Sequence, residues 1–215
     1  MHMLRRALTA SMLALPTLSP FMARAQTLSN ADRNVISRVE RYLNGLTTLQ
    51  ARFLQVAQNG GSAEGTAMIW RPGRMRFDYD PPVPLLLVAD SGQFLHYDRE
   101  LRQRSIVPVS STPLGILLRS NIQLNGDVIV RDVERSAGFI RITMAMRGAE
   151  SEGTLTLVLQ DDPIELRQWV VVDQQRRETR VSLSAIQTGM SFDRSLFTFN
   201  DPRFMELEDQ RRQNQ

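Results

Sequence analysis

The chain has 215 residues, 26 basic against 23 acidic side chains, and no cysteine. That length suits one domain with a sizeable core, and the lack of cysteine excludes both disulfide staples and a lipid-modified N-terminal cysteine. The formal charge of +3 comes from Arg5, Arg6 and Arg24, and it falls to zero once residues 1–25 are set aside, so nothing supports nucleic-acid binding.

Those first residues read as a secretory signal peptide. Met1–Arg6 is short and basic, Ala7–Met22 is mostly small and apolar, and Ala23-Arg24-Ala25 fits an A-x-A cleavage site. A membrane anchor is the alternative, but the stretch is short and holds Pro16 and Pro20. The reading is therefore export with cleavage near Ala25, by a route that Arg5-Arg6 does not decide, followed by a single soluble domain over 26–215.

An amphipathic helix opens that domain. Ser29 or Asn30 can cap it, Val35, Ile36, Val39, Tyr42, Leu43 and Leu46 recur on one face, and Asn44-Gly45 ends it. Short strands follow at about Leu49–Gln58, Gly65–Trp70, Gly73–Asp80, Leu85–Ala89, Gln93–Tyr97 and Arg102–Val109. Their breaks carry good turn chemistry, among them Asn59-Gly60-Gly61, Arg71-Pro72-Gly73 and Asp90-Ser91-Gly92. Thr112–Leu118 reads as a short apolar helix with Thr112 as cap and Pro113 at its first position. A second run of strands spans Val128–Val133, Phe139–Met146, Gly153–Gln160, Leu166–Val172 and Thr179–Ile186. About eleven strands with hairpin-length connections argue for a mainly β fold, an antiparallel barrel or strongly curved sheet, with helices to cover its apolar side. The charged end, Glu206–Gln215, reads as a frayed tail.

The alternation separates two faces. In the stretch IWRPGRMRFDYD, Met75, Phe77 and Tyr79 share an apolar face, while Arg74, Arg76, Asp78 and Asp80 fall on the other, which is assigned to water. Ile140, Ile142, Met144 and Met146 share a face, as do Leu155, Leu157 and Leu159. Met68, Met75, Met144 and Met146 suit either an ordinary core or a wall that repacks around varied apolar guests. Arg71 precedes Pro72 at a strand end beside Trp70, so it either snorkels over that ring or serves the apolar interior.

Catalytic patterns are sparse. His96 is the one histidine after residue 25, which argues against a histidine triad or a multi-histidine metal site. Gly60-Gly61-Ser62 is a turn rather than a nucleophile elbow, and Asp161-Asp162-Pro163 is a turn as well. Neither enzymatic activity nor a cofactor is expected.

Taken in order, several segments resemble the LolA family of periplasmic lipoprotein carriers. They are the N-terminal helix with Leu49–Gln55, then Gly65 and Trp70–Tyr79, Leu87–Gly92 with Tyr97-Asp98, Thr112–Leu118, and the closing Phe197–Pro202. The resemblance implies an incomplete antiparallel β-barrel closed by a helical lid over an apolar cavity that takes acyl chains. It also implies that Arg71 latches the lid through backbone carbonyls, with partners near Leu87 and Leu117. The expected lining comprises Phe53, Met68, Trp70, Met75, Phe77, Leu87, Leu114, Leu117, Met144 and Met146, with Met75 where the family commonly has an aromatic or leucine. The implied setting is a monomer in the periplasm of a Gram-negative bacterium. Its implied partners are acylated lipoproteins, an inner-membrane lipoprotein-releasing ABC transporter and, where one exists, an outer-membrane acceptor. Two other readings share the fold: a carrier of a different lipid, and a regulatory domain that senses lipoproteins.

Overall fold

A computed structural model describes residues 28–213; the expected signal peptide and its cleavage point lie outside the described residues. Helix α1 (Asn30–Gly45) starts at Ser29, whose hydroxyl accepts from the Asp32 amide while the Asp32 carboxylate accepts from the Ser29 amide. This reciprocal capping satisfies two donors that a helix start would otherwise leave open. Val35, Ile36, Val39 and Leu43 form its buried stripe.

Eleven strands follow: β1 (Thr48–Ala57), β2 (Ser62–Trp70), β3 (Arg74–Tyr79), β4 (Leu85–Asp90), β5 (Gln93–Asp98), β6 (Gln103–Pro108), β7 (Val128–Ser136), β8 (Phe139–Met146), β9 (Thr154–Gln160), β10 (Glu165–Val172) and β11 (Glu178–Thr188). They form one antiparallel sheet in the order β6-β5-β4-β3-β2-β1-β11-β10-β9-β8-β7. The two ends of the strand sequence thus meet at the centre, where β1 pairs with β11, and successive hairpins run outward to open edges at β6 and β7. Register shifts in β1, β7 and β10 mark bulges, which bend a sheet and increase its twist.

Both expected sets of apolar residues in the second half face one side. Ile140, Ile142, Met144, Leu155, Leu157 and Leu159 are fully buried there, in one core with Phe53, Met75, Phe77 and Trp169. Helix α1 and a 3-10 helix, Pro113–Leu118, lay their apolar residues on this same core. At Gly65 the backbone has to stay bare. A Cβ there would sit 2.6 Å from the Phe53 ring, which lies across β2 to meet Phe77 and Tyr79 edge-on at 5.1 and 5.0 Å.

The opposite side of β2–β5 is not left to water. Phe197, Phe199 and Phe204 pack there on Leu86, Val88, Leu95 and Tyr97, with Met68 and Trp70 alongside. Over 206–213 the expected frayed tail is instead part of helix α2 (Phe204–Gln213), held down by Phe204 and Glu208, and 214–215 lie outside the described residues. Arg76 is also not a solvent-facing residue: its alternation places it correctly opposite Phe77, but α2 covers that face and leaves the side chain 2% exposed.

Candidate functional site

The turn between β2 and β3 ties down the covering elements of the concave face. The Arg71 amide donates to Thr47 O at 2.7 Å, and the Gly73 amide donates to Leu118 O at 2.8 Å. From the same turn the Arg71 guanidinium donates to Leu43 O, to Leu46 O at 3.2 Å and to Arg119 O at 2.6 Å. Leu43 and Leu46 close the C-terminal end of α1, where helical carbonyls lack partners of their own. Arg119 follows directly on the 3-10 helix. One planar fork therefore joins both pieces of the cover to the sheet, a use that suits the fixed donors of arginine. Burial lowers the Arg71 pKa from its ordinary value, and every one of its acceptors is an uncharged carbonyl.

The two pieces are also joined to each other. Asn44 donates to Ile122 O at 2.9 Å and accepts from the Ile122 amide at 2.8 Å, while Glu40 accepts from the Leu124 amide at 2.6 Å. Tyr42 accepts from the Leu166 amide at 3.0 Å, linking α1 to β10. Sequence reading assigns Asn44 only to the helix stop, because its partners lie 78 positions away.

At the N-terminal end of the 3-10 helix lies a pocket of about 280 Å³. Phe77, Tyr79, Leu87, Phe94, Val107 and Leu114 contribute apolar wall, Gln55, Ser111, Thr112 and Thr179 are its polar members, and no charged side chain lines it. Tyr79 donates its phenol proton to Gln55 at 2.7 Å, and burial pushes its pKa up to about 12, so the ring stays neutral.

The family model described as outer membrane lipoprotein carrier protein LolA matches residues 44–200. The chain belongs to the LolA family. An outer-membrane lipoprotein carrier protein of Methylococcus capsulatus is 28% identical over 189 residues, covering 83% of this chain and 89% of that one. Its counterpart in Dechloromonas aromatica is 25% identical over 211 residues, covering 94% and 95%. Among solved structures, a DUF1329 family protein from Desulfovibrio piger has a TM-score of 0.50 at 8% identity, covering 77% of this chain and 95% of that one, which is a likeness of fold.

Against the lining expected from LolA resemblance, the structure splits the ten residues. Phe53, Met75, Phe77, Leu117 and Met144 are buried in the concave core, with Leu87, Leu114 and Met146 packed against it. Among these, Phe77, Leu87 and Leu114 reach the pocket. Met68 and Trp70 do not belong to this set: both pack on the other side, against the cluster of Leu86 and Phe197. Register explains it, since Ala67 and Ile69 stand opposite Phe77 and Met75 and take the concave positions of β2. The Arg71 latch is also corrected in part. Its acceptor beyond the 3-10 helix lies two residues from Leu117, but the other acceptors are on α1 rather than near Leu87. The cation over Trp70 is Arg74, at 4.7 Å from the ring centre, not Arg71.

The convex side carries a charged cluster that sequence reading leaves unassembled. Glu208 accepts from Arg76 at 2.7 Å, from Arg99 at 3.2 Å and from Arg211, while Asp78 accepts from Arg76 at 2.5 Å and from Arg99. Burial alone would raise both carboxyl pKa values, but the Arg76 charge and hydrogen bonds outweigh it, so both end below their ordinary range. This cluster fixes α2 and has no opening to the concave pocket's lining.

Proposed function

We propose that this chain is a periplasmic carrier that shelters the acyl chains of lipoproteins against its concave face on the way from the inner to the outer membrane. The observation that carries this reading is the uncharged pocket at the N-terminal end of the 3-10 helix, whose other end Arg71 ties down through Arg119. Each methylene hidden from water is worth about 0.8 kcal/mol, so a lipid anchor of two or three chains presents on the order of tens of kcal/mol and needs a shelter in water.

The pocket of about 280 Å³ lies at the small end of ligand sites. The larger apolar area is at present filled by α1 and by Ile116 and Leu117 of the 3-10 helix. Loading therefore displaces part of the cover, and the binding energy of the guest is partly spent on that displacement. A carrier benefits from this, because cargo bound too tightly would never pass to the acceptor. The family relatives named as lipoprotein carriers support the same assignment.

The test is binding of the purified protein to one lipoprotein prepared with and without its acyl chains. The acylated form should be retained and the deacylated form lost. Equal, weak recovery of both would refute the carrier reading, and a co-purified lipid of another class would replace it.

A further inference from the structure

The sheet has two open edges, and they are built differently. Strand β7 is protected in the usual ways: a bulge between Val130 and Asp132, exposed Arg131, Asp132, Glu134 and Arg135, and a tie from Arg135 to Asp32 of α1 at 3.4 Å. Strand β6 keeps an unbroken register with β5 from Gln93–Pro108 to Asp98–Gln103, and all six of its residues are exposed. Ile106 and Val107 are each 43% exposed, and Leu101, in the turn before the strand, is 64% exposed. Pro108 closes the free edge at one end, leaving Gln103–Val107 with alternate amides and carbonyls pointing away from the sheet.

This edge is continuous with the pocket. Val107 stands opposite Phe94, and both line the pocket, so a chain leaving the pocket at Val107 meets the β6 edge at once. Arg102 and Arg104 are exposed at the far end of the edge; Arg102 reaches Asp209 of α2 at 4.0 Å, while Arg104 makes no ion pair among the described residues. A segment that carries carboxylates suits that end.

We propose that the β6 edge, Gln103–Val107, receives an extended, acidic segment of the cargo's own polypeptide as an added strand, namely the residues that directly follow its acylated terminus. The proposal rests on the carrier reading. Its physical content is that main-chain hydrogen bonds hold the segment with little regard to side chains, so cargoes of different sequence are accepted while the carboxylates set the preferred direction.

Three kinds of synthetic probe test it on the purified protein: a diacylglyceryl-cysteine lipopeptide with six further residues including two glutamates, a pair of the same lipopeptide N-methylated at alternate amides in one or the other register, and diacylglyceryl-cysteine amide alone. The unmodified lipopeptide should bind about tenfold more tightly than the acyl-cysteine amide, and N-methylation in one register should remove that gain. It should also slow amide exchange within residues 103–107, which the acyl-cysteine amide should leave unchanged. If all the probes bind alike, or if protection appears at β7 instead, the edge proposal fails while the carrier reading stands. If none of the probes binds, the carrier reading itself fails.

Discussion

Strand β3 is covered on both faces, and an arginine fastens each cover, but the two fastenings differ in kind. On the concave side Arg71 donates to three uncharged carbonyls at the ends of α1 and the 3-10 helix. On the convex side Arg76 sits between Asp78 and Glu208 with Arg99 and Arg211 close by, and both the Arg76 and Glu208 side chains are 2% exposed. Carbonyls released from Arg71 can turn to water at modest cost, because a net hydrogen bond is worth little. Separating Arg76 from Glu208 strands charge in a site closed by aromatic rings. In the proposed carrier cycle, the cover that opens is therefore the one held by Arg71, and α2 is the cover that stays.

The sharpest way to break this contrast is Arg76→Met. Removing one member of a buried ion network costs about 3–5 kcal/mol because the remaining charges lose their compensation. Here Glu208 and Asp78 keep Arg99, which places the loss toward the lower end. Urea denaturation should show the loss, and limited proteolysis should cut within α2. A loss below about 1 kcal/mol would mean that the aromatic residues alone hold α2.

Acid should separate the two covers without a mutation. Asp78 and Glu208 have depressed folded-state pKa values, so their contribution is present above the unfolded values and lost as pH falls through the folded ones. The loss begins below about pH 4, where unfolded carboxyls take up protons. Arg71 has no titratable acceptor, so its bonds should persist over the same range. Fluorescence of Trp70, which packs edge-on at 5.7 Å against Phe197, should change before that of Trp169 in the concave core. Simultaneous change of both would show that the covers are not independent.

The same contrast explains what the sequence reveals. Period-two alternation is a local property, so all eleven strands and the two faces of β3 are legible from it, and the short helix is equally local in its Thr112 cap and Pro113. What covers a face is not local. Arg76 and Glu208 are 132 positions apart, and the charges that make Glu206–Gln215 look like a solvated tail include the carboxylate that α2 buries. The sidedness of β2 fails for another reason: the family resemblance implies that Met68 and Trp70 line the cavity, while Gly65, Ala67 and Ile69 take the concave positions, with the Phe53 ring lying over Gly65. The Arg71 corner is visible as an arginine at a strand end, but its α1 acceptors emerge only when the helix is placed.

Arg71→Leu tests the breakable side. Loss of its bonds should destabilise the closed, empty form by about 2 kcal/mol, since Leu46 O and Arg119 O lose a charged donor and Leu43 O keeps only the Leu46 amide. The loaded form, with its cover displaced, should lose less. The variant should still load acylated lipoprotein but bind it about tenfold more tightly and pass it poorly to an acceptor. Transfer at the wild-type rate would remove Arg71 from the release step.

Asn44→Ala gives the smallest effect and the finest resolution. Asn44 holds Ile122 by a donated and an accepted bond, so it couples α1 to the chain after the 3-10 helix without touching the sheet. Its loss should cost about 1 kcal/mol. If the two pieces of the cover move as one body, the Ile122 amide should exchange faster and release of cargo should change with it. If the 3-10 helix opens on its own while α1 stays fixed through Tyr42 and Leu166, exchange at Ile122 should rise while cargo release keeps its wild-type rate. Either result leaves α2 untouched, because no bond of Asn44 reaches the convex side.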